Sequence, residues 1–139
     1  MPAVSSEDRR IAVVTCMDAR LDAAGFLDDW PAPMHVMRNA GGRVTPDVLR
    51  SLAASCVLGT RRILVIHHTR CAMAEHTDDD ILQLLPPGAE TDVEFLTIAD
   101  PEEALRHDVR LIENSSLLPT DVEVSGFVYD LDLRAVRAI

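Results

Sequence analysis

The chain has 139 residues, 47% hydrophobic and 26% charged, enough to bury the core of one globular domain. Its 13 basic and 23 acidic residues leave a formal charge of −10. Such a surface repels phosphate backbones and anionic lipid, so no nucleic-acid or membrane partner is expected.

The start, Met1 to Arg10, is polar and lacks the apolar run of a signal peptide. No later apolar run is long enough to span a bilayer. Three cysteines are few and odd in number, which argues against a disulfide framework and for free thiols in a reducing compartment. A cytoplasmic location is expected.

Residues 11–15 (Ile-Ala-Val-Val-Thr) have the pattern of a strand covered on both faces, with Cys16 at its carboxyl end. Residues 25–33 read as a loop with a short helix around 26–30. Residues 34–37 read as a second strand, and Arg38-Asn39-Ala40-Gly41-Gly42-Arg43 turns out of it. Thr45 can cap a helix, Pro46 is pre-set for its first position, and Asp47 complements the dipole. Val48, Leu49, Leu52, Cys56 and Val57 follow at helical spacing, and Gly59 ends the helix. Residues 62–67 form a third buried strand, and strand–helix–strand in this order predicts a parallel crossover pair.

After Cys71 an acidic helix is expected over 78–85, stopped by Pro86-Pro87-Gly88. A fourth strand is expected over 93–98, then a helix opened by Asp100-Pro101 and running to about 114, a fifth strand over 122–129, and a tail over 131–139. There is no repeat, low-complexity stretch or linker. The expectation is a single α/β domain over residues 1–139, with a mostly parallel central sheet of four to five strands flanked by helices.

Two stretches carry chemistry: Cys16-Met17-Asp18-Ala19-Arg20 and His67-His68-Thr69-Arg70-Cys71. Each follows a buried strand, and open parallel sheets bind ligands at the carboxyl ends of their strands. Two thiolates and one imidazole suit Zn²⁺ with a fourth position open, and soft thiolates argue against magnesium and calcium. His67 and His68 are not separable by composition. His68 has the spacing to Cys71 that suits a tight ligand loop, and adjacent strand residues point to opposite faces. Asp18 can orient a water, with Arg20 holding it as a bidentate pair. Cys56 lies on the buried stripe of its helix and reads as core, as do Phe26 and Trp30. His35, His76 and His107 read as ordinary histidines able to pass protons to buffer. A dinucleotide site is excluded because no G-x-G-x-x-G follows a strand. A cysteine phosphatase is excluded because Cys16 and Arg20 are too close in sequence.

At these residues the chain resembles the β-class carbonic anhydrases, in their compact bacterial branch. The matching pieces are Cys16-Met17-Asp18-Ala19-Arg20-Leu21, Arg38-Asn39-Ala40-Gly41-Gly42-Arg43-Val44-Thr45, His67-His68-Thr69 with Cys71 and Met73, and Gly126-Phe127-Val128-Tyr129-Asp130. The resemblance implies zinc on Cys16, His68 and Cys71, with Asp18 and Arg20 as the catalytic dyad. It implies a zinc-dependent lyase that hydrates CO₂ reversibly to bicarbonate and a proton through zinc-bound hydroxide. It also implies a homodimer or higher homo-oligomer, with sites near the subunit boundary and Asn39, Gly41 and Gly42 beside them.

Two departures stand out. The family loop reads His-Thr-Asp-Cys-Gly-Met, whereas this chain has Arg70 and Ala72. If the glycine position needs positive φ, Ala72 costs on the order of 1 kcal/mol. Arg70 reads first as a solvated side chain, and second as a source of positive potential at the site. The alternatives that keep the metal are hydrolysis of carbonyl sulfide or carbon disulfide, and a zinc protein that has lost catalysis.

Overall fold

The computed structural model describes residues 10–28 and 33–139. The polar start up to Arg9, Trp30 and the end of the expected 26–30 helix lie outside them. Residues 26–28 form a turn.

Six apolar or β-branched residues make β1 (Ile11–Cys16), and every one is buried. It is flanked on both sides by parallel strands, β2 (His35–Asn39) and β3 (Arg62–His68). Beyond β3 lies β4 (Glu123–Asp130), also parallel, and then β5 (Ala135–Ala138), which is antiparallel. The order is β2-β1-β3-β4-β5, so β4 lies inside the sheet along with the central pair, β1 and β3. Their near-continuous apolar sequences follow from burial on both faces.

The long helices start where the sequence places their caps. In α2 (Pro46–Val57) the Thr45 hydroxyl accepts from the Val48 N–H at 3.2 Å. In α5 (Pro101–Glu113) the Asp100 carboxylate accepts from the Glu103 N–H at 3.2 Å. Shorter helices are α1 (Ala19–Ala24), α3 (Ala72–Glu75) and α4 (Asp78–Leu84). One core holds Ala12, Val14, Val65, Leu52, Leu105 and Ile112, and packs α2 and α5 on the sheet. The other, on the opposite face, holds Val13, Leu64, Ile66, Leu21, Phe26 and Tyr129. Ile63 and Val65 belong to the first and Leu64 and Ile66 to the second, so β3 alternates strictly up to its two histidines.

Two expectations need correction. Residues 93–98 are not a strand: Leu96 has φ +56° and the segment joins no ladder, although Ile98 N–H donates to the Met73 carbonyl at 2.7 Å. Residues with strand propensity do not make a strand unless they join a ladder. The tail contains β5, held by pairing with β4 from Phe127 to Asp130. Helix α1 begins directly after Asp18, over residues for which no element was expected.

Candidate metal centre

β1 and β3 are hydrogen-bonded neighbours in register Thr15↔Ile66, so their carboxyl ends lie side by side. The Thr15 hydroxyl pins them further by donating to the Ile66 carbonyl at 2.7 Å. Cys16 closes β1, His68 closes β3, and Cys71 follows in the turn that enters α3. The three side chains converge: their ligand atoms all lie within 4.8 Å of one another, and all three residues are buried. The two sulfurs are 4.0 Å apart. Tetrahedral zinc with Zn–S bonds of about 2.3 Å sets its sulfurs about 3.8 Å apart, so the donor set fits that ion.

His68 supplies the stronger test of fit. Its Nδ1–H donates to the Thr69 carbonyl at 2.7 Å, which leaves Nε2 as the free lone pair. Nε2 is buried and has no hydrogen-bond partner. A buried polar atom without a partner is costly, and a metal ion is the partner that two adjacent thiols imply. His67 points to the other face. Its Nε2 lies 3.2 Å from the Gly42 carbonyl and 3.4 Å from Asp108. The parity of β3 thus separates two histidines that composition could not.

Charge is distributed unevenly over the donors. The Cys71 thiol beside it, aided by His68 and the Gly41 N–H, holds Cys16 far below the usual thiol range against the effect of burial. The Cys16 sulfur, together with burial, pushes Cys71 up. For His68, burial opposes protonation, but Cys16, the Thr69 carbonyl and Asp18 outweigh it and the net shift is upward.

Asp18 and Arg20 stand at the mouth of this cluster. The Asp18 side chain caps α1 by accepting from the Arg20 N–H at 2.8 Å. The Arg20 guanidinium donates to Oδ2 at 2.6 Å and to Oδ1 at 3.1 Å. Those bonds hold the carboxyl at a pKa of about 2. The other Asp18 approach is to His68, with Oδ2 3.6 Å from Nε2. Arg20 also donates to the Arg70 carbonyl at 2.7 Å, which ties the pair to the loop between His68 and Cys71.

Of the two departures, Ala72 differs from expectation and Arg70 follows its first reading. Ala72 opens α3 and is exposed, and it is not among the residues with positive φ, so the strain anticipated there is absent. The left-handed conformation falls on Arg70 instead, at φ +54°. The Arg70 side chain is exposed and pairs with Asp132 at 2.8 Å, so much of its charge is answered locally.

Sequence reasoning missed three residues that shape the site. Arg38 donates to the carbonyls of Cys16 at 2.8 Å and Asp18 at 2.9 Å, fixing the backbone on both sides of Met17. Arg43 and Asp108 form a buried pair with contacts of 2.8 and 3.2 Å. The available signal was Asp108 itself, a carboxylate on the same buried stripe of α5 as Leu105 and Ile112. Of the residues read as ordinary, Cys56 is buried in the α2 core, and burial raises its pKa. Phe26 packs against Tyr129 with ring centroids 5.2 Å apart. His35 bonds to Ser55 at 2.6 Å. No helix among the described residues is long and apolar enough to cross a membrane.

Comparison with known proteins gives a consistent picture. The family model described as carbonic anhydrase matches residues 11–85. The chain is 39% identical to beta-carbonic anhydrase 1 of Mycobacterium tuberculosis, over 94% of this chain and 82% of that protein. It is 31% identical to the carbon disulfide hydrolase of an Acidianus species, over 94% of this chain and 77% of the other. Among solved structures, the carbonic anhydrase from Streptococcus mutans superposes with a TM-score of 0.83 at 40% identity, covering 100% of this chain and 87% of that one.

Proposed function

The chain belongs to the β class of the carbonic anhydrase family, and from that membership we propose that it hydrates CO₂ reversibly to bicarbonate and a proton at zinc held by Cys16, His68 and Cys71. The observation that carries this reading is the buried, partnerless His68 Nε2 beside two sulfurs 4.0 Å apart. Zinc bound there supplies Lewis acidity, bringing the ionisation of water into the neutral range and making a hydroxide nucleophile available for the carbon of CO₂.

The chain's own residues do the rest. With a pKa near 2, Asp18 is a carboxylate at neutral pH, so there it only accepts hydrogen bonds. A water beside it must point a hydrogen at Asp18, which turns a lone pair toward the substrate carbon. Arg20 holds the carboxylate through both oxygens and keeps it from turning onto the metal as a further ligand. Arg38 fixes the backbone that carries both Cys16 and Asp18, so thiolate and carboxylate move as one unit. The proton leaves to buffer through water.

A homodimer or higher homo-oligomer with its sites near the boundary is part of this proposal. The Met17 side chain, 64% exposed between Cys16 and Asp18, is an apolar group that a second subunit would cover. A reducing, cytoplasmic location fits three cysteines that form no disulfide.

Zinc analysis of wild type and Cys71→Ser, alongside stopped-flow CO₂ hydration, tests the reading. Wild type should carry zinc and the variant should lose most of it along with activity. A second reading, hydrolysis of carbon disulfide or carbonyl sulfide at the same centre, is favoured by the similarity to carbon disulfide hydrolases. Turnover of all three substrates by one preparation separates the two. Ala72 has no positive φ, so strain at that position gives no ground for a catalytically inert protein.

A further inference from the structure

One buried carboxylate has no part in the reaction as described. Asp108 on α5 is 1% exposed. Its Oδ2 accepts from Arg43 Nε at 2.8 Å, its Oδ1 accepts from Arg43 Nη2 at 3.2 Å, and His67 Nε2 lies 3.4 Å from Oδ2. A buried ion pair costs desolvation and is a poor way to gain stability, so its presence next to a site calls for another reason.

That reason lies in what Arg43 and His67 hold. Arg43 directly follows the Gly41–Gly42 turn and anchors its far end by donating to the Leu96 carbonyl at 2.9 Å. The near end is closed by Asn39, which exchanges two 2.8 Å hydrogen bonds with the Arg43 backbone. His67 Nε2 meets the Gly42 carbonyl at 3.2 Å. The turn is pressed on the end of β1: a Cβ at Gly42 would lie 2.8 Å from the Thr15 carbonyl carbon. So held, Gly41 donates its N–H to the Cys16 sulfur at 3.3 Å.

We propose that Asp108 is a positioning residue for the metal centre, holding the Gly41–Gly42 turn through Arg43 and His67 so that the Gly41 N–H stays on the Cys16 sulfur. This inference rests on Cys16 being a metal ligand. A thiolate that accepts a hydrogen bond gives less charge to its metal, which keeps the metal electrophilic and its water acidic. Two thiolate ligands already neutralise a divalent ion, so relief of this kind matters more here than at an all-imidazole site. Asp108 thereby tunes a centre it does not touch.

The test uses protein loaded with cobalt(II) in place of zinc, whose thiolate-to-metal charge-transfer band reports sulfur donation, and the pH profile of CO₂ hydration by the zinc form. In Asp108→Asn the band should keep its intensity, since both sulfurs still bind, and move to lower energy. The midpoint of the pH profile should move upward, with kcat at neutral pH falling on the order of tenfold and KM unchanged. The double variant Arg43→Met, Asp108→Leu removes both charges together, is less prone to unfold, and should show the same shifts. A folded variant of either kind with the wild-type band and the wild-type pH midpoint would overturn the proposal. A wild-type protein that binds cobalt with no thiolate band would instead overturn the ligand assignment, and the inference with it.

Discussion

Two aspartate–arginine pairs flank Cys16, and they use the same chemistry in different solvent. Asp18–Arg20 is two residues long and faces water, with Arg20 48% exposed. Arg43–Asp108 joins residues 65 apart and is shut away, with side chains 9% and 1% exposed. In the open pair, solvent screens the attraction, so it contributes little to stability and is free to serve water and substrate. In the closed pair, neither charge tolerates loss of the other, so it fixes geometry. In the proposed reading, one centre takes its reactivity from the exposed pair and its rigidity from the buried one.

The sharpest way to break this contrast is to neutralise each aspartate. Asp18→Asn should lower kcat for CO₂ hydration by roughly 100- to 1,000-fold, the usual cost of losing one preorganised hydrogen-bond partner, while the melting temperature stays near that of wild type. A variant that melts early instead would place Asp18 with the structural group. Asp108→Asn should do the reverse in kind, losing about 3–5 kcal/mol in urea denaturation because Arg43 is left charged and buried. A loss below about 1 kcal/mol would put the two pairs in the same class.

Acid sharpens the comparison more gently. Burial alone would raise the Asp108 pKa, but hydrogen bonds from His67 and Arg43 and the Arg43 charge outweigh it, and the net shift is downward. The unfolded chain therefore binds this proton more readily than the folded one. The stabilisation is complete above the ordinary aspartate value of about 3.9 and is lost as pH falls through the lower folded value. Below about pH 4, wild type should lose stability more steeply than Asp108→Asn. Parallel acid limbs would contradict the role given to this carboxylate.

The smallest effect belongs to Arg70, outside both pairs. Its φ of +54° is strained for a residue with a side chain. Arg70→Gly relieves that strain while loosening the unfolded chain, so stability should change by less than about 1 kcal/mol. The Arg70 carbonyl still reaches Arg20, so turnover should hold. A large loss of activity would mean that the Arg70 side chain acts on the centre.

The contrast also explains what the sequence made legible. Strands with continuous apolar runs (β1, β3) and helices with explicit caps (Thr45-Pro46, Asp100-Pro101) announce themselves because their causes are local. The open pair was legible for the same reason, since Asp18 and Arg20 are neighbours in sequence. β5 is not legible, because Ala135 and Ala138 have little intrinsic preference for a strand and are held there by β4. Residues 93–98 mislead in the opposite sense, having the strand pattern but no ladder to join. The buried pair depends on α5 returning to the turn after β2, a contact no local pattern encodes. Spacing to Cys71 already favoured His68, and the alternation of β3 between two cores adds the reason that His67 faces away.

The central claim is that Cys16, His68 and Cys71 close around one metal ion. Zinc content after expression in zinc-supplemented medium, measured on wild type and Cys71→Ser, tests it most directly. The account predicts about one equivalent per chain in wild type and a small fraction of that in the variant. Equal zinc in both proteins, or CO₂ hydration at full rate by a wild-type preparation without metal, would contradict it.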